Sequence, residues 1–212
     1  STGVSNNKTA LIHDALVMGV KNYFSKLGFD KAILGLSGGI DSAVTMVIAA
    51  RALGAGNVRA VLLPSEFSSE HSVEDARLLA ENLGSPYDII PIRDAFDQMG
   101  STLKPVFGDM PFDIAEENIQ ARLRAVFLMA VSNKFGNILL NTSNKSEAAV
   151  GYGTLYGDMC GALSVLGDVY KTQVFELANY KSLHHLMWDN YNSLFYSMLI
   201  YHQHNYVYYN AK

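Results

Sequence analysis

The sequence predicts a doubly wound α/β fold, a parallel sheet with helices on both faces. Residues 33–36, 57–63, 87–91 and 136–140 read as strands, the first with the look of a strand buried on both faces and the second as a buried strand. Segments with apolar residues at helical spacing separate them, and strands alternating with helices make a parallel sheet with right-handed crossovers the economical topology. The polar residues that carry chemistry gather directly after those runs, where an open α/β sheet binds its ligands. No internal repeat or low-complexity segment interrupts the pattern.

Residues 1–7 are small and polar and read as a frayed end, and the absence of an initiator Met suggests an excised piece of something longer. From Lys8 to Lys26 apolar residues recur at helical spacing, with Gly28 as the stop and Gly19 falling on the apolar face. After the first strand, Asp41-Ser42 followed by Ala43, Val44, Met46, Val47 and Ile48 reads as a capped helix. The second strand ends at Pro64. Ser65, Ser68, Ser69 and Ser72 then form a polar loop, placed to touch a nucleotide, before a helix over 72–83. Gly84-Ser85-Pro86 turns the chain into the third strand, and an amphipathic segment over 93–103 follows. Residues 104–113, with Pro105, Gly108 and Pro111, read as a loop. A long helix over 114–134 carries Ile119, Leu123, Val126, Phe127, Ala130 and Val131 on one face. Asn118 and Arg122 lie four apart on its polar side, where they can address one ligand together.

Composition narrows the function. The 212 residues are 49% hydrophobic and 17% charged, enough apolar material for one ordinary domain with an appendage. A net charge of −4 argues against a nucleic-acid binder held by a general basic surface. There is no signal peptide and no apolar run long enough to span a bilayer. Cys160 is the only cysteine and reads as a small buried apolar residue, which fits a reducing cytoplasm.

Chemistry concentrates in two stretches. In Gly35-Leu36-Ser37-Gly38-Gly39-Ile40-Asp41-Ser42 the glycines let backbone approach a ligand and the first helical amides point at it, which makes an anion site. Ser37 and Ser42 can donate hydroxyls to phosphate oxygens. Asp41, useless to a bare phosphate, makes sense with a bound Mg²⁺. A Walker loop would need Lys-Ser or Lys-Thr after the second glycine, and a dinucleotide fingerprint would need G-x-G-x-x-G; neither is present. Ser37 to Ser42 resembles the SGG-x-DS loop of the N-type ATP pyrophosphatases, which cut ATP into AMP and pyrophosphate and use the AMP to activate a carboxyl or carbonyl group.

The second stretch, Asn141 to Glu147, follows the fourth strand directly. Thr142 and Asn144 can hydrogen-bond a nucleotide, and Glu147 can hold Mg²⁺ or a ligand hydroxyl. A capping box built on Ser143 or Asn144 accounts for about two of these residues. Together with Gly151-Tyr152, Thr154, Tyr156-Gly157-Asp158 and Gly167-Asp168-Val169-Tyr170-Lys171-Thr172, this stretch resembles the second signature of NAD⁺ synthetase. The resemblance runs from about Leu11 to Tyr180 and implies an adenine nucleotide alpha hydrolase-like domain over 1–180, C-terminally incomplete. It also implies adenylylation of the nicotinate carboxylate of deamido-NAD⁺ by ATP, followed by displacement of AMP by ammonia. By the same resemblance Gly35 to Ser42, the Leu63-Pro64 step and Thr142 hold ATP, and Asp41 and Glu147 hold Mg²⁺. Asn118, Arg122, Asn144, Glu147 and Lys171 face deamido-NAD⁺, with Asp41 and Lys171 closest to the chemistry. No protein nucleophile is required, because the substrate carboxylate attacks. A homodimer with substrate at the interface is implied too.

Leu62 and Ala162 are closer to the synthetase domain of the glutamine-dependent enzymes, whose separate glutaminase domain makes ammonia. No such domain lies in these residues, so free ammonia alone is the expected donor. Other ATP pyrophosphatases of the GMP or asparagine synthetase type fit residues 142–158 less well, and a nucleotide-binding fragment without turnover is the alternative of a different class. Residues 181–212 form a tail of unassigned role that does not match the family: from 183 on it has no Gly or Pro, two charged residues, half of all the tyrosines and four of the six histidines. An out-of-frame or foreign origin, or an aromatic segment packing on a partner, are the two expectations for it. His184-His185 and His202-x-His204 invite a metal reading but lack Cys or paired acids.

Overall fold

The computed structural model describes residues 2–66 and 68–180. The segment from 181 onward, with His184-His185 and His202-x-His204, lies outside them. The described chain runs α1 (Thr2–Leu27), β1 (Ala32–Gly35), α2 (Ile40–Leu53), β2 (Val58–Leu62), α3 (Glu70–Leu83), β3 (Tyr87–Ile89), α4 (Arg93–Phe107), α5 (Ile114–Phe135), β4 (Ile138–Asn141), α6 (Lys145–Val150), β5 (Leu163–Ser164) and α7 (Lys171–Ala178). All strand pairs are parallel, in the order β3-β2-β1-β4-β5. The chain moves outward from β1 through β2 and β3, then returns to place β4 on the other side of β1. That reversal opens a crevice at the carboxyl ends of β1 and β4, the switch point where such sheets bind ligands.

Two cores follow from the alternation of side chains along each strand. Ala32 and Leu34 of β1, Ala60 and Leu62 of β2, and Leu140 of β4 face one side, where they join Val44, Ile48, Ala76, Ala80, Val174 and Leu177 from α2, α3 and α7. Ile33, Val61, Leu63 and Leu139 face the other and meet Ile92 and, from α5, Phe127, Leu128 and Val131. Covering both faces lets the strands be apolar throughout. Cys160 is partly buried against the second core. Among the described residues no helix is long and apolar enough to cross a membrane.

The elements differ from the sequence expectation in a few places. The first helix begins at Thr2, not Lys8. Helix α2 is capped by Gly39 with no side-chain cap bond, so Asp41 and Ser42 sit in the first turn, not at its boundary. Ser69 caps α3 through a bond from Ser72 N, which starts that helix at Glu70. Pro105 does not end α4. It lies in the last turn, and the helix closes at Gly108, whose N–H reaches Lys104 O at 2.9 Å. Strand β5 and helix α7 have no counterpart in the expectation; β5, two residues long, is too short to show a period.

Two glycines have opposite constraints. Gly19 is exposed within α1 and a Cβ there would meet nothing within 4 Å. It therefore leaves the apolar face intact. Gly38 has φ +78°, and a Cβ there would lie 2.3 Å from Ser72 O. Gly19→Ala is expected to raise stability by about 0.5–1 kcal/mol. Gly38→Ala is expected to lower it by about 2 kcal/mol or more, from strain and collision together. Urea unfolding measures both, and a Gly38→Ala chain as stable as the parent would contradict the close approach to α3.

Candidate functional site

The loop after β1 is anchored by its apolar members. Leu36 is buried and donates its N–H to Val61 O at 2.9 Å, Ile40 is buried in the core, and Gly35 leaves room for Leu128 of α5. Gly35, Leu36 and Ile40 thus offer a ligand backbone only. The serines close the loop on itself: Ser42 Oγ donates to Gly39 O at 2.9 Å and accepts from Ser37 N at 3.3 Å, while Ser37 Oγ accepts from Gly39 N at 3.2 Å. A hydroxyl has one proton, so the 3.1 Å contact between the two is donated by Ser37. Ser42 is buried and Ser37 exposed, so Ser37 is the hydroxyl open to a ligand. The serine loop before α3 is turn and cap chemistry, with Ser65 N on Ser68 Oγ and Ser72 N on Ser69 Oγ, yet Ser72 packs directly against Gly38.

Asp41 projects from the first turn of α2 into a cluster drawn from the other side of the switch point. One carboxylate oxygen pairs with Lys171 Nζ, and the other accepts from Asn144 Nδ2 at 2.9 Å. Asn144 caps α6 by accepting Glu147 N at 3.1 Å, and Glu147 Oε2 accepts Asn144 N at 3.1 Å, which completes a capping box. The box expected as an alternative to a ligand role is therefore formed, and its asparagine also reaches Asp41. Lys171 is the first residue of α7, and the start of that helix is stitched to α6: Lys171 N donates to Ser146 Oγ at 3.0 Å and Lys145 N to Val169 O at 2.9 Å.

Burial pushes the Glu147 carboxyl above its ordinary value. The N–H of Asn144 and the Lys171 ammonium oppose this, and the negative charges of Asp41 and Asp158 add to it. Asp41 and Glu147 thus share one electrostatic neighbourhood, in which Lys171 pairs with Asp41 and its charge also acts on Glu147. Two carboxylates beside an anion-binding loop fit Mg²⁺, which is commonly held by one or two carboxylates together with phosphate oxygens. Among the described residues no group of three or more His, Cys, Asp or Glu gathers to form an all-protein cage.

Asn118 and Arg122 come together, but on protein. Asn118 Oδ1 accepts from Thr154 Oγ1 at 2.7 Å, and Arg122 Nε donates to Leu155 O at 3.1 Å, so both grip the loop between α6 and β5. Thr154 N donates in turn to Asp158 Oδ1 at 2.6 Å. Leu63 turns its side chain into the core and its carbonyl accepts Arg124 Nε at 3.1 Å. Thr142 is half-buried at the carboxyl end of β4.

Two residues that the sequence reading passed over hold this arrangement. Buried Asn141 donates to Asp158 O and Cys160 O and accepts from Ser143 N and Ser164 Oγ, tying β4, β5 and the intervening loop to one side chain. Arg124 spans from Leu63 toward Asp158; burial lowers its pKa and the Asp158 charge opposes that. Its signal was present in the sequence: it lies three and four residues before Phe127 and Leu128, a charge on the apolar side of α5.

A parallel sheet of this order, with a glycine loop and two acids gathered at its switch point, defines a doubly wound α/β protein of the kind that binds its ligand at the carboxyl ends of its strands. The family model described as NAD synthase matches residues 12–188, and the chain belongs to that family. It is 55% identical over 172 residues to a glutamine-dependent NAD(+) synthetase of Synechocystis sp., covering 81% of this chain and 31% of that protein. Glutamine-dependent NAD+ synthetase from Acinetobacter baumannii, solved in complex with adenosine diphosphate, superposes with a TM-score of 0.81 at 48% identity, over 87% of this chain and 37% of that one. The NH3-dependent NAD synthetase from Campylobacter jejuni superposes with a TM-score of 0.76 at 32% identity, over 84% and 76%. The chain spans about a third of the length of the curated relatives it matches.

A carboxyl raised in the folded chain favours its protonated form there. Its contribution is full below the ordinary value of 4.5 and is lost as pH rises through the raised value. Glu147→Gln keeps an oxygen for the Asn144 N–H and removes the charge. Without metal, it is expected to shift the urea midpoint upward at pH 7 and to match the parent near pH 4. A lower midpoint at pH 7 would contradict the raised carboxyl.

Proposed function

We propose that the chain catalyses ATP-dependent amidation of deamido-NAD⁺ to NAD⁺, through an adenylylated nicotinate and with release of AMP and pyrophosphate. The observation that carries this reading is the position of Asp41, which is part of the glycine loop and is held by Asn144 and Lys171 from the second signature. The phosphate side and the acceptor side of the reaction thus meet at one carboxylate. Gly35 to Ser42 cradle the polyphosphate through backbone amides, with the Ser37 hydroxyl turning its proton from Ser42 to a phosphate oxygen, and the Leu63-Pro64 step and Thr142 line the adenosine. Asp41 and Glu147 hold Mg²⁺, which supplies neutralisation of charge where a carboxylate approaches a polyphosphate. Lys171 adds a fixed positive charge beside that point, preorganised by its anchorage to Ser146. Asn118 and Arg122, with the loop they grip, form the deamido-NAD⁺ wall. Ammonia arrives free or from a glutaminase domain of a longer protein. The same reading extends to a homodimer working in the cytoplasm.

The chain incubated with ATP, Mg²⁺, deamido-NAD⁺ and ammonium is expected to yield AMP, pyrophosphate and NAD⁺ in equal amounts. Asp41→Asn is expected to lower pyrophosphate release more than about 100-fold, beyond the loss typical of a residue that only orients a ligand. ATP bound with no pyrophosphate released would instead favour a nucleotide-binding chain without turnover.

A further inference from the structure

The Asn144 side chain is buried, 1% exposed, and both of its polar atoms have a protein partner. Its Oδ1 takes the N–H of Glu147, its Nδ2 donates to Asp41 Oδ1, its N–H reaches Glu147 Oε2, and its carbonyl accepts Ala148 N at 3.2 Å. It has little surface left for a substrate. Its side chain reaches the carboxylate of Asp41, and its backbone N–H, fixed by the same cap, holds the carboxylate of Glu147.

We propose that Asn144 is a positioning residue that sets the carboxylates of Asp41 and Glu147 for a divalent cation, and is not a substrate contact. This rests on the reading of those two acids as the Mg²⁺ ligands. The residue type follows from the task. A short side chain must accept a helix N–H and donate to a carboxylate at once, and an amide of this length does so from two separate atoms, Oδ1 toward the helix and Nδ2 toward Asp41. Serine, threonine and aspartate also cap helices, but aspartate has no proton to give and a hydroxyl must serve both duties from one atom that stands a bond nearer the backbone than Nδ2. Two acids in one half-buried neighbourhood repel each other, and hydrogen bonds to both hold them in place before a cation neutralises them. Each oxygen engaged by Asn144 keeps a second lone pair, so tethering leaves both acids competent to ligate.

Asn144→Ser separates the two duties, because serine retains the cap and loses the arm to Asp41. The probe is Mn²⁺, followed by its paramagnetic resonance in the presence of a non-hydrolysable ATP analogue, with melting temperature and deamido-NAD⁺ affinity measured in parallel. Asn144→Ser is expected to weaken Mn²⁺ binding about 10- to 100-fold while leaving the melting temperature and deamido-NAD⁺ affinity at the parent values. Asn144→Ala is expected to show the same Mn²⁺ loss and a lower melting temperature. Mn²⁺ affinity equal in the parent and Asn144→Ser overturns the proposal alone, as does a loss confined to deamido-NAD⁺. A parent chain that takes up no Mn²⁺ overturns the metal reading together with it.

Discussion

The carboxylate of Asp41 is the constraint on which the site depends. It stands in the first turn of α2 and is held from two later stretches, the cap of α6 and the start of α7. Neither stretch reaches it unless β4 lies beside β1, so the sheet order and the site are one requirement. The glycine loop is organised in the same manner. Its apolar residues are locked into the core, its serines hold each other, and its tightest approach is to Ser72 of α3. Little of the loop is left to be ordered by a ligand, which lowers the cost of binding one.

The electrostatics carry an opposing term. Glu147 is held partly buried near two other acids, an arrangement that a chain selected for stability alone would avoid. The compensation is local: a backbone N–H on Glu147, an amide N–H and an ammonium on Asp41. Arg124 makes a similar bargain on the far side of the crevice, giving up solvation to bridge the end of β2 and the neighbourhood of Asp158. Strained charge of this kind is what functional sites maintain at the expense of stability.

Much of this was legible in the sequence, because the decisive features are local. Gly38 and Gly39 break an apolar run, and the chemistry of residues 141–147 follows another, so two strand ends could be placed on one edge of a sheet. The stretch from Gly167 to Lys171 was legible only by resemblance. What escaped was non-local. Nothing in the spacing around Asn144 shows that its amide reaches 103 residues back to Asp41, or that Asn118 and Arg122 grip Thr154 and Leu155. Asn141 looks like one more polar residue of its loop until β5 forms beside it. Pro105 misled in the opposite direction, since α4 carries it in the last turn and runs two residues beyond it to Phe107.

The pairing of Lys171 with Asp41 also has a schedule. The partners are 130 residues apart, so during synthesis Asp41 leaves the ribosome long before its counter-ion exists. At ordinary elongation rates that interval is roughly 7–26 s. Through that time the first half of the sheet can fold around β1 and β2 while the acid at its edge faces water. The arrival of α7 then gives that acid its cation, so nascent chains stopped before α7 carry the glycine loop without Lys171.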